Sequence, residues 1–148
     1  MEKRLEKAIA KLQAGHLSCV IYFENKEPVC SEAIGIKPLM IELRKNRQAF
    51  RHGVIADKVV GKAAALMAVL GQADAVYGEI MSEAALTVFE KNHIDYRCGT
   101  LVPFIENRTH DGKCPMEAAV WEVDNPTEAF VVLEKTIAKL MQATPFKN

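Results

Sequence analysis

Residues 53–65 read G-V-I-A-D-K-V-V-G-K-A-A-A, and the reading of this run decides the fold class. A β-branched apolar stretch ends at Asp57, Lys58 and Lys62 follow four residues apart, and an alanine-rich segment continues to a stop at Gly71. The pattern predicts a strand over residues 54–56 feeding a helix over residues 60–70. Asp57 is placed to cap that helix, and Lys58 and Lys62 would then share one face of its first turns. Unpaired backbone N–H groups and the positive end of the helix dipole fall in the same place, which attracts anions. The same residues also describe a capped core helix whose lysines extend into water.

On either side of this run the chain alternates between the two periodicities. Leu5, Ile9 and Leu12 are spaced for an amphipathic helix closed by Gly15. Residues 17–23 read as a strand, Glu24-Asn25-Lys26-Glu27 as a turn, and residues 28–31 as a short returning strand, which makes a hairpin. Lys37-Pro38 opens a helix that runs to about Arg47. Residues 75–80 form the next strand, 82–92 a helix capped by Ser82, and 94–98 a further strand. A polar loop over 106–113, a short helix from Pro115 and a helix over 127–141 complete the chain. The expectation is an α/β domain over residues 1–148 in three layers, α/β/α. Its mixed sheet has an N-terminal β-hairpin followed by parallel strands joined by helices.

Composition bounds the rest. The chain has 148 residues, of which 49% are hydrophobic, with only 8 Gly and 6 Pro, and this suits one domain with a full core. Nineteen Lys and Arg balance nineteen Asp and Glu. Without a basic excess to neutralise a phosphate backbone, nucleic acid is not the expected partner. No apolar run approaches the roughly 20 residues that cross a bilayer, and residues 1–13 lack the continuous apolar core of a signal peptide. Cys19, Cys30, Cys98 and Cys114 are widely spaced and form no C-x-x-C pair. A reduced, cytoplasmic setting is therefore expected, with neither a structural zinc site nor a redox dithiol.

Several motifs are absent. Ala56 stands where the first glycine of a P-loop belongs, and Ala63 replaces its magnesium-binding hydroxyl. No glycine triplet follows a strand, so a dinucleotide fingerprint is missing. His16, His52, His93 and His110 form no metal quartet.

The order helix, hairpin, helix, strand, helix, strand, helix, strand is also that of the cytidine deaminase-like fold. A-D-K-V-V-G-K-A-A-A, V-Y-G-E-I-M-S-E-A-A-L and the later C-P-M-E resemble a bacterial family of unknown function assigned to that fold. The resemblance covers nearly the whole chain, and its most specific part is the first block. In catalytic deaminases the strand before the zinc helix ends in Glu-Pro-Cys-x-x-Cys. The equivalent run here is Asp57-Lys58-Val59-Val60-Gly61-Lys62, so Val59 and Lys62 stand where both thiolates would be. The earlier His/Cys-x-Glu motif falls near Gly35-Ile36-Lys37-Pro38, which offers neither a zinc ligand nor an acid. The resemblance thus implies the scaffold without the zinc-dependent deamination, and no metal or cofactor is expected.

One edge of the expected sheet is suited to binding. Open α/β sheets bind ligands beyond the carboxyl ends of their strands, which gathers Asp57, Lys58 and Lys62 with Glu79 and Ser82. Such a site would take a small anionic molecule, nucleotide-like or phosphorylated. Cys114, before Pro115 at a helix start with Glu117 three residues on, is a candidate nucleophile or simply a small capping residue. An enzyme using Lys62, Asp57 or Cys114 by other chemistry is the alternative, and a structural or protein-interaction domain is the third reading. The amphipathic first helix and the apolar Leu39, Ile41 and Leu43 raise the expectation of a homo-oligomer.

Overall fold

The computed structural model describes residues 2–143 of the chain. Helix α1 (Glu2–Ala14) precedes a hairpin of β1 (Cys19–Phe23) and β2 (Val29–Ser31). Then follow α2 (Lys37–Lys45), β3 (Gly53–Val60), α3 (Lys62–Leu70), β4 (Ala75–Ser82), α4 (Glu83–Lys91) and β5 (Asp95–Val102). The short α5 (Pro115–Ala119) and the long α6 (Pro126–Ala143) close the order. The five strands lie in the order β2-β1-β3-β4-β5. β1 is antiparallel to both β2 and β3, whereas β3, β4 and β5 run parallel. The mixed α/β sheet expected from the periodicity is therefore present.

Side chains alternate between the faces of each strand, and the two faces have different covers. Val20, Val54, Ala56, Ala75 and Tyr77 cluster with Leu5, Ala8 and Leu12 of α1. Cys19, Ile21, Ile55 and Val76 join residues of α2, α3, α4 and α6 in the larger cluster. Helix α3 lies at the centre of that layer, and every residue from Lys62 to Ala68 is buried. Its alanines let α4 and α6 pack closely against it. At its end, a Cβ on Gly71 would stand 2.2 Å from the Phe50 ring, so only glycine admits the ring there. Leu39 and Leu43 of α2 are likewise core residues. Of the apolar residues behind the expectation of an oligomer, Leu5, Leu12, Leu39 and Leu43 are buried within the chain itself, and Ile9 and Ile41 are partly exposed.

The expected helix start is corrected. β3 continues through Asp57 and Lys58 to Val60, because the β-branched Val59-Val60 pair extends the ladder, with Val59 beside Ile80 and Val60 beside Met81. Gly61, not Asp57, is the N-cap of α3, and it carries no side-chain cap. Lys58 is consequently an exposed strand residue and Lys62 a buried helix residue, so the two lysines do not share a helix face. β5 is also longer than expected and reaches Val102.

Candidate functional site

Three parallel strands end together at one edge of the sheet, and two helices begin there. Ser82, at the end of β4, caps α4 as the sequence suggests, accepting a hydrogen bond from the Ala85 N–H at 3.1 Å. The uncapped start of α3 is satisfied from elsewhere in the chain. The carboxylate of Glu117, which is 1% exposed, accepts the Lys62 N–H at 2.6 Å and the Ser82 hydroxyl at 2.6 Å. Its other oxygen accepts the Ile105 N–H at 2.5 Å. One side chain from α5 thereby fills the place where two helix dipoles point their positive ends. The seat that the sequence reading reserves for an anionic ligand holds Glu117.

Lys62 grips the same segment by its other end. Its ammonium donates to the Trp121 carbonyl at 2.8 Å and to Asp124 Oδ1 at 3.0 Å. Lys62 is the buried partner and Asp124 the exposed one, and the ammonium holds the Asp124 carboxyl below its usual range.

Asp57 has a separate environment. It stands opposite Cys19 on β1 and beside Gly78 on β4, and one oxygen accepts the Val59 N–H at 3.2 Å. Burial pushes its carboxyl up to about 7, and hydrogen bonds from the Val59 N–H, the Cys19 thiol and the Lys58 N–H offset this only in part. Burial, followed by the Asp57 charge, raises the Cys19 thiol well above its usual range. Asp57 and Lys62 therefore have different partners, and Lys58 and Glu79 lie side by side between the Asp57–Gly78 and Val59–Ile80 pairs. Cys114 is the N-cap of α5, as expected, and its N–H donates to the Ile105 carbonyl at 2.8 Å.

The space at this edge is apolar. Val59 and Ile80, adjacent on β3 and β4, are about two-fifths exposed. Together with Val102, Phe104 and Ile105 they line a cleft of about 450 Å³, with Glu106 and His110 on its border. His110 Nδ1 lies 2.8 Å from Glu106 Oε1. Lys113 sits over the Phe104 ring at 5.3 Å and the Trp121 ring at 4.4 Å, which anchors the following loop. A second, more polar hollow of about 460 Å³ lies at the opposite end of the sheet, lined by residues that include Val69, Asp74, His93 and Ile94. Among the described residues, no group of three or more His, Cys, Asp or Glu is placed to hold a metal ion.

Residues 7–137 match the TM1506 family, described as a domain of unknown function (DUF1893). The chain belongs to the DUF1893 family. It is similar to a solved DUF1893 family protein, TM1506 from Thermotoga maritima, with a TM-score of 0.80 and 25% identity. That likeness covers 94% of this chain and 91% of the other. No curated protein matches the chain.

The DUF1893 match spans both the α3 start and α5, the two ends of the Lys62–Glu117 contact. The sequence reading of the site missed the role of Glu117, and it missed Ile105, Trp121 and Asp124 altogether. Each acts through a contact more than ten residues away in sequence. The one local signal was an acid in the C-P-M-E run, at the start of a short helix. Among the described residues of this DUF1893 chain, no helix is long and apolar enough to cross a membrane.

Proposed function

We propose that this domain is a zinc-free small-molecule-binding domain on a cytidine deaminase-like scaffold. Its ligand would lie in the apolar cleft at the carboxyl ends of β3, β4 and β5. The element order supports the scaffold, being the one that the resemblance implies. The residues at the zinc-ligand positions do not fit a metal, since Val59 is aliphatic and Lys62 presents a cation already paired with Asp124.

The observation that carries the binding reading is the cleft itself. Ligands of open α/β sheets bind outside the carboxyl ends of the strands, and this is where Val59, Ile80, Val102, Phe104 and Ile105 leave apolar surface around a ligand-sized space. The lining favours the flat, apolar body of a nucleotide-like molecule over its phosphate. The setting is a reduced bacterial cytoplasm, consistent with four cysteines that are all free.

A thermal-shift screen of nucleobases, nucleosides and nucleotides on the full chain tests this reading. Ligands are expected to raise the Tm of the wild-type protein and not that of Ile80→Arg, whose long side chain fills the cleft from a partly exposed position. Hits that stabilise both proteins equally overturn it.

A further inference from the structure

We propose that Glu117 is a specificity-determining residue of this cleft, whose buried carboxylate excludes phosphate and carboxylate groups and restricts the ligand to uncharged molecules. The inference rests on the cleft reading and narrows it. The convergent starts of two helices ordinarily attract an anion, and here a carboxylate of the chain itself already takes that place. The Lys62 N–H, the Ser82 hydroxyl and the Ile105 N–H all point at Glu117, an arrangement with three donors and two accepting oxygens that suits an ionised carboxylate.

The seat and the cleft share a wall. Ile105 lines the cleft with its side chain while its N–H holds Glu117. Gly61 lies between them, and a Cβ there would come within 2.9 Å of Ile105 Cγ1 and 3.0 Å of Glu117 Oε2. The backbone is therefore shaped to admit this in-chain carboxylate. An anionic group entering from the cleft would meet a like charge in a desolvated setting, with the Lys62 N–H, the Ser82 hydroxyl and the Ile105 N–H already taken by Glu117. The cations at the border are already engaged: His110 is paired with Glu106, Lys58 has Glu79 beside it on β4, and Lys113 sits over the Phe104 and Trp121 rings.

The test is isothermal titration of matched neutral and anionic probes on the full chain: benzamide against benzoate, and a nucleoside against its 5′-monophosphate. Wild-type protein is expected to bind each neutral member at least tenfold more tightly than its anionic partner. Glu117→Gln, which removes the charge with nearly the same shape, is expected to bring the ratio to within about threefold. Binding that Ile80→Arg abolishes but that shows no discrimination in the wild type overturns this inference and leaves the cleft reading standing. Discrimination that persists in a folded Glu117→Gln protein also overturns it. Binding unaffected by Ile80→Arg, or no binding of any probe, overturns the cleft reading and this inference with it. If Glu117→Gln does not fold, Ser82→Ala, which withdraws one donor from the carboxylate, is expected to widen the ratio, and a ratio unchanged from the wild type overturns the inference.

Discussion

Asp57 and Cys19 stand directly opposite one another on β3 and β1, and both are almost completely withdrawn from water. The Asp57 carboxyl lies at about 7 in the folded protein, against an ordinary value of 3.8. The folded state therefore holds a proton that the unfolded chain releases between roughly pH 4 and 7. Stability should be highest below that window, fall as pH rises through it, and level off above about 7. The full loss is at most on the order of 4 kcal/mol. Urea unfolding of the wild type and of Asp57→Asn from pH 4.5 to 8.5 checks this. The difference between the two should grow in favour of the variant as pH rises, and a constant difference contradicts it.

Glu117→Ala should cost about 3 kcal/mol, because it leaves the Lys62 and Ile105 N–H groups and the Ser82 hydroxyl without their acceptor. Glu117→Gln, which keeps one carbonyl oxygen, should cost less. Urea midpoints read at unchanged m report the order directly, and equal midpoints for all three proteins contradict it.

Much of the architecture was legible because it is written in local pattern. The alternating strands, the alanine-rich α3 and the Ser82 cap with Glu83-Ala84-Ala85 behind it all follow from short-range rules. The start of α3 was not, because Asp57 looks like a cap only while its burial in β3 is unknown, and because the true N-cap is a glycine without any side-chain signal. Glu117 was visible as an acid at a helix start. Its partner at Lys62 lies 55 residues away, and only the folded chain brings them together. The cleft was hidden for a related reason. Val59 and Ile80 look like core strand residues, but they line the cleft near the ends of β3 and β4 and remain partly exposed.

The Lys62–Asp124 pair is asymmetric, one end buried and the other mostly exposed. Asp124→Asn strands an ammonium in the interior, whereas Lys62→Met replaces it with an apolar chain and leaves Asp124 in water. Lys62→Met is therefore expected to melt above Asp124→Asn. The reverse order in calorimetry contradicts this account of the pair.

Gly61→Ala introduces a Cβ that would crowd both Ile105 and Glu117. A loss of about 1–3 kcal/mol is expected from overpacking, since neither neighbour is a free surface chain. A midpoint within error of the wild type would contradict this crowding by Ile105 and Glu117.

Occupancy of the cleft at the carboxyl edge is tested most directly by methyl-detected NMR of the full chain, titrated with a hit from the thermal-shift screen. The methyl signals of Val59, Ile80, Val102 and Ile105 are expected to move together with a single dissociation constant. Shifts confined to Val69 and Ile94, which line the hollow at the opposite end of the sheet, would contradict it.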